Sequence, residues 1–315
     1  MGWTTDSASQ KDVVHSLERA GVEVVVFEVS SKMQLVDVLS SLKSEPCLVW
    51  PNAYQVYAFE GSSDTIWLAD VINEHGLPMI GSNATAMKNV MLKDECQRVL
   101  EHHGVAIPAF AALDEAALNN LEHLLETRDL VFPLFVKPNA LSSSKGISQD
   151  CVVHSLEELR QQTLYLGEQF GYPVMVEEYL PGQDITVAVF MTPERPVILA
   201  TYYDTEIYDD PGAVLDHGVR LRDWDDGKWL RVVEEPEMLA QIESVVLPAC
   251  EAVGIAEFTR IDCRLDRHGR LKAFDVNGLP GLELPFSTTV WQMIVKMAEQ
   301  PQSGASKTRT SGTPR

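Results

Sequence analysis

The sequence predicts an α/β protein: a small N-terminal domain built on a parallel sheet, then two lobes that mix helices and strands. Three observations carry that prediction. Apolar runs of strand length alternate with helix-length stretches through the first 85 residues, and such alternation implies a parallel sheet covered on both faces. Beyond residue 130, strand-length runs come in pairs about short turns, as in DITVAVFM and PVILATYY around TPERP. Finally, 315 residues with 45% hydrophobic content are enough to fill two or three cores.

In the first domain (1–85), a helix-like DVVHSLERAG closes at Gly21 and leads into VEVVVFEV (22–29), a β-branched run of strand length. CLVWP (47–51) and PMIGS (78–82) are further short apolar runs ending in turn residues. Between them DTIWLADVINEHG has helical spacing and stops at Gly76. The middle region (86–180) opens with one long helix ending at Gly104, then alternates strands at 131–138, 151–154 and 173–180 with a helix at 155–171. The last lobe (181–300) adds the two strands around TPERP, an acidic, aromatic loop at 203–230, and a helix at 235–253. Strands at 256–265 and 271–277 join through the turn RHGR. A loop of that length inside a compact lobe is more often functional than inert. The polar tail 301–315 reads as disordered, and no internal repeat is present.

A net charge of −21 argues against broad nucleic-acid or anionic-membrane partners, since both need a positive field. Any anionic ligand must be met locally, by a few placed cations and a divalent metal. Five cysteines without paired short spacing suggest neither a disulfide framework nor a zinc site. No run approaches a membrane span and residues 1–12 do not read as a secretory signal, so a reduced, cytoplasmic protein is expected.

Four segments could carry chemistry. In RIDCRLDRHGRLKAFDVNGLPG (260–281), Asp275 and Asn277 are two apart on one strand and so share a face. Antiparallel pairing about His268-Gly269 can bring Asp262 opposite them, while Ile261, Cys263, Phe274 and Val276 form the apolar face. Two carboxylates and an amide oxygen are hard ligands that suit Mg²⁺ shared with phosphates. In VKPNALSSSKG (136–146), a strand delivers Lys137 and a serine-rich turn exposes N–H and hydroxyl groups able to cradle phosphate oxygens. VEEYLPGQD (176–184) is a strand end with a Pro-Gly turn, placed to act as a hinge. Lys93 lies in the helix before it. Taken singly, each also reads as an ordinary turn, solvated strand or surface lysine.

Their order is more specific. Lys93, then Lys137 with its serine turn, then EEYLPGQD, then RID…DVNGLPG resembles the ATP-grasp superfamily over about residues 75–290, and within it the D-alanine–D-alanine ligase-like carboxylate–amine ligases. The resemblance implies an ATP-grasp fold, with the small N-terminal domain followed by a central α+β lid and a C-terminal α+β lobe. It implies ATP and two Mg²⁺ ions, with Mn²⁺ able to substitute, and small carboxylate and amine substrates joined through an acyl phosphate. Lys93 and Lys137 would contact phosphates, and Ser143, Ser144 and Gly146 would form the mobile phosphate loop. Glu177, Glu178, Tyr179 and Leu180 would meet adenine, and Asp184, in place of the usual Glu, the ribose. Asp262, Asp275 and Asn277 would hold metal. Arg260 would stabilise the acyl phosphate and tetrahedral intermediate. Dimerisation through the first domain is common in similar ligases.

The likeness also breaks in places. Residues 1–20 lack the Gly-rich first strand with the Glu that grips the first amino acid, so that grip is absent or the start is truncated. Ser142 replaces the loop's first glycine. Tyr208 stands near the place of a third phosphate lysine, and Phe286 or Ser287 near the serine expected to hold the second substrate's carboxylate. The ATP half matches and the substrate half does not, which points to a ligase for acids and amines other than two D-alanines. Intramolecular cyclisation of a natural product by the same activation, and an ATP-binding module that has lost catalysis, are the competing readings.

Overall fold

The computed structural model describes residues 21–43, 46–141, 144–203 and 230–280, with residues 11, 14, 15 and 17–19 before them. The acidic stretch at 204–229 and residues 281–315 lie outside the described residues, so the expected loop and tail are not placed.

The first region is the least regular. Helix α1 (Lys32–Leu42) starts at Ser31, whose hydroxyl accepts from the Gln34 N–H, and buries Leu35 and Leu39. Strands β1 (Gln55–Tyr57) and β2 (Thr65–Trp67) form an antiparallel hairpin that runs directly into helix α2 (Leu68–Glu74). Val56, Leu68, Val71 and Ile72 complete this small core. The helix expected from residue 64 therefore begins at Leu68, because Thr65–Trp67 are taken by the hairpin. Parallel pairing is confined, among the described residues, to two isolated bridges, Ser31 with Tyr57 and Val49 with Met79. Residues 22–29 are not a strand: Val25 and Val26 are 66% and 53% exposed, and no described strand pairs with the segment. A β-branched run favours a pleated surface, but cross-strand neighbours are what make it one.

The single helix expected over 86–104 is two helices, α3 (Ala84–Met91) and α4 (Lys93–His102), broken at Leu92 with φ −105° and ψ 129°. The break has a tertiary cause. The Lys93 N–H donates to the Asn139 carbonyl at 3.2 Å and the Asp94 N–H to Asn139 Oδ1 at 2.9 Å. Donors orphaned at a helix start are thus satisfied by a distant loop, which holds Lys93 beside it.

Next comes a four-stranded antiparallel sheet, ordered β3-β6-β4-β5 with β3 (Phe110–Leu113), β4 (Leu134–Pro138), β5 (Val152–Val153) and β6 (Val174–Glu178). Helices α5 (Leu121–Thr127) and α6 (Leu156–Phe170) contribute Leu121, Leu125, Leu159 and Leu166 to a core with Leu134, Val136, Val174 and Val176. The last sheet is antiparallel, ordered β11-β10-β7-β8-β9. It comprises β7 (Asp184–Phe190), β8 (Val197–Tyr203), β9 (Leu230–Val232), β10 (Phe258–Leu265) and β11 (Leu271–Asn277). Helix α7 (Pro236–Val253) packs Ile242, Val246 and Ala249 on Ile185, Val187, Ile261 and Cys263. Gly254 ends it in the left-handed conformation, φ 84°.

Three contacts seat the first region on the last sheet. Gly81 N–H donates to Glu257 Oε2 at 2.9 Å, Ala256 N–H to Ser82 Oγ at 3.0 Å, and Leu279 N–H to the Tyr54 hydroxyl at 3.0 Å. The last contact ties the turn after β11 to the hairpin region. Among the described residues, no helix is long and apolar enough to cross a membrane.

Candidate active site

The hairpin of β10 and β11 is closed by Asp266, whose Oδ1 accepts from the His268 N–H at 2.7 Å and the Arg270 N–H at 3.0 Å. The turn fixes the register above it. Asp262 lies directly opposite Asp275, and Arg260 opposite Asn277. The register shifts just beyond Asp262, a β-bulge. That bulge corrects one expectation: Phe274, assigned to the apolar face, lines the cleft beside Asp275, because the extra residue breaks the strict alternation of sides.

Arg260 grips Asp262 with two hydrogen bonds, Nε to Oδ1 at 3.0 Å and Nη2 to Oδ2 at 2.9 Å. Thr186 Oγ1 donates to Oδ1 as well, at 2.8 Å. Asp275 Oδ1 accepts from Lys93 Nζ at 3.0 Å. Burial pushes the Asp275 carboxyl up, but Lys93, Lys137 and Arg260 outweigh it and hold the group below its usual range. Burial also opposes the charge on Arg260, and Asp262 more than restores it, so the guanidinium stays protonated. Among the described residues, no three His, Cys, Asp or Glu side chains form a metal cluster. The donor set is two carboxylates and an amide, each carboxylate now neutralised by a cation.

On the facing sheet, Lys137 is 3% exposed and donates to Glu177 Oε1 at 2.8 Å and to the Phe274 carbonyl at 3.2 Å. Register places Lys137 on β4 beside β6, the strand that carries Glu177. Burial raises the Glu177 carboxyl against the pull of Lys137. Its second oxygen, Oε2, is buried with no hydrogen-bond partner among the described residues. An unpaired buried acceptor is costly, so it marks a place for a ligand donor. Ser144 and Gly146 sit in the turn after β4 with φ of 54° and 77°. A Cβ at Gly146 would lie 2.7 Å from Pro138 Cγ and 2.8 Å from Phe170 Cε2, so the turn is drawn tightly onto β4 and α6.

These groups surround one cleft between the two sheets. Lys93, Lys137, Ser144, Glu177, Glu178, Tyr179, Leu180, Asp184, Arg260, Asp262, Asp275 and Asn277 all line it. Gly146 does not, although its neighbours Lys145 and Ile147 do. Ser142, Ser143, Tyr208, Phe286 and Ser287 lie outside the described residues. Arg264 and Lys145 join the lining unexpectedly. Arg264 was discoverable: it follows Arg260 and Asp262 at the period of two that keeps strand residues on one face. The lining carries five cations (Lys93, Lys137, Lys145, Arg260, Arg264) and five carboxylates (Glu177, Glu178, Asp184, Asp262, Asp275). In a chain of charge −21, this is the local balance an anionic ligand needs.

The model of the D-ala D-ala ligase C-terminus matches residues 99–299, well over half of the chain. The chain belongs to that family. It is an ATP-grasp ligase, of the ATP-dependent, ADP-forming kind that makes carbon–nitrogen bonds. D-alanine–D-alanine ligase B of Pseudomonas putida is 28% identical over 271 residues, covering 86% of this chain and 77% of that protein. The crystal structure of the Bacillus anthracis D-alanine–D-alanine ligase superposes with TM-score 0.68 at 20% identity, over 95% of this chain and 90% of that one. Its complex with ATP gives 0.66 at 19% identity, with the same coverage. These superpositions establish the ATP-grasp α/β fold for the family member in hand.

Proposed function

We propose that the cleft binds ATP with divalent metal and activates a carboxylate as an acyl phosphate for attack by an amine, with substrates other than a pair of D-alanines. The register that sets Asp262 against Asp275, with Asn277 on the same face and Lys93 and Arg260 on the carboxylates, carries this reading. Family membership supplies the reaction class: these ligases use ATP and a divalent metal and act on small molecules.

Asp262, Asp275 and Asn277 fit Mg²⁺ as oxygen donors, and the metal would neutralise phosphate charge there. Lys93, now paired with Asp275, and Lys137, paired with Glu177, would supply the positive charge that phosphate oxygens need. Glu177 Oε2 would accept from the adenine amino group, which would end its isolation. Tyr179 and Leu180 supply the hinge that meets the base. Ser144, in the turn after β4, would meet the phosphates, with Gly146 shaping that turn. Arg260, fixed by two bonds to Asp262, needs no reorganisation to stabilise the oxyanions of the acyl phosphate and tetrahedral intermediate, which is how preorganised charge lowers a barrier. Little covalent work falls to the protein; positioning and charge do the rest. The substrate assignment rests on the sequence departures at Tyr208 and Phe286–Ser287.

The test is phosphate release with amino acids and small acids supplied singly and in pairs, D-alanine included. Turnover that needs an acid and an amine, and is weak with D-alanine alone, supports the proposal. Fast turnover with D-alanine alone removes the substrate claim. ADP formation with one substrate and no amine means cyclisation, and ATP binding without turnover on any pair removes the ligase reading for this protein.

A further inference from the structure

Helix α4 does not cap itself. Helices α1, α3 and α6 begin on Ser31, Asn83 and Ser155, each of which accepts from an N–H of its own first turn. The residue ahead of α4 is Leu92, and it gives no side-chain cap. Asn139, in the loop after β4, supplies the cap from a distance. The Asp94 N–H donates to Asn139 Oδ1 at 2.9 Å, and Asn139 Nδ2 donates back to Asp94 Oδ1 at 2.6 Å. The Lys93 N–H donates to the Asn139 carbonyl at 3.2 Å. Asn139 and Asp94 are 4% and 5% exposed, and Arg98 Nη2 meets the second carboxylate oxygen of Asp94 at 2.7 Å. Both polar atoms of the Asn139 side chain are therefore spent on the residue next to Lys93.

The same loop residue stands close to a second cation. Lys137 lies two residues earlier in the chain, with Pro138 between them and its φ fixed by the ring. Lys93 and Lys137 both line the cleft, and both ammonium groups already lie against carboxylates, those of Asp275 and Glu177. Lysine is a point charge on a flexible four-carbon stem, so its aim depends on where its backbone is held. A serine or aspartate at position 92 would stabilise the helix start equally well. Helix stability is thus a weak reason for a cap borrowed from the loop that follows Lys137. We propose that Asn139 is a positioning residue, fixing the Lys93 backbone relative to Lys137 so that the two lysines meet a polyphosphate as one preset receptor. The inference rests on the ATP reading given above and extends it to the residue that sets the spacing of its cations.

The experiment is equilibrium binding of Mg·ATP, and of adenosine, which lacks the phosphates, to wild type, Asn139→Ala, Lys93→Met and the double variant. Neighbours that act together depart from additivity by about two- to a hundred-fold in an equilibrium constant. Asn139→Ala should weaken Mg·ATP by at least about fivefold with Lys93 present and by less than about twofold in the Lys93→Met background, with adenosine unchanged. Asn139→Asp sets two carboxylates face to face and should be worse than Asn139→Ala. Adding Asp94→Asn to it restores a donor for each acceptor and should recover most of the ATP affinity. Asn139→Ser, which keeps one acceptor, carries the same cycle if the alanine variant does not fold. Equal losses for ATP and adenosine, or an equal loss with and without Lys93, mean that Asn139 only supports the fold, and the inference is wrong while ATP binding stands. If wild type binds ATP no more tightly than adenosine, or binds neither, the nucleotide reading itself fails and takes the inference with it.

Discussion

At the scale of single residues, the candidate site works by pairing every acid with a cation before any ligand arrives. Arg260 and Asp262 are joined two-toothed, with Thr186 as a third donor to the carboxylate. Replacing Arg260 with Met is expected to lower kcat by about 10²–10³-fold, the usual consequence of removing one preorganised oxyanion donor. Steady-state ADP release checks it, and an unchanged kcat would remove Arg260 from the chemistry. The residue scale is also where sequence reading was most and least complete. Lys93, Lys137, Glu177 and the Asp262, Asp275, Asn277 set were named from their fixed spacing in motifs, and all of them line the cleft. Glu177's pairing with Lys137 was not, since 40 residues and a strand crossing separate them. Phe274 was misassigned because a bulge is a property of register, which one strand's sequence does not state.

At the scale of elements, the β10–β11 hairpin is the frame of the candidate metal ligands, and Asp266 closes it. Burial pushes the Asp266 carboxyl up, but hydrogen bonds from the Arg270 and His268 backbone and the Arg270 side chain outweigh this and bring it to about 2 from an ordinary 3.8. The folded state thus prefers the ionised form. That contribution is fully present above the unfolded value and is lost as pH falls through the folded one, so the window lies between about pH 4 and pH 2. Asp266→Asn is expected to lower stability at neutral pH by about 1–2 kcal/mol and to flatten the acid limb in that window. Urea unfolding at stepped pH measures both, and an unchanged acid limb contradicts the assignment. Most helices and strands from 134 onward were readable from period and capping, as with Ser155 ahead of α6, but β9 was missed at the end of the expected loop. The elements before residue 105 were harder, because tertiary contacts decide them. Asn139 breaks the helix at Leu92, and the run 22–29 lacks a described strand neighbour.

At the scale of the whole molecule, two antiparallel sheets face one another across a cleft, and the first region is fastened to the turn behind the candidate metal ligands through Tyr54. Burial of that hydroxyl pushes its pKa up to about 12, so it stays protonated while it accepts from Leu279. The fold class was legible from alternation and motif order; how the sheets meet was not, because no local pattern encodes the contact of Lys137 with the Phe274 carbonyl across them. The central claim is that this meeting place is a joint site for ATP and divalent metal. Calorimetric titration of ATP, with and without Mg²⁺, into wild type and Asp275→Ala tests it without knowledge of the substrates. Mg²⁺ is expected to tighten ATP binding to wild type by at least about tenfold, and Asp275→Ala to lose most of that gain. An Mg²⁺ effect that is absent in wild type, or undiminished in Asp275→Ala, would contradict the account.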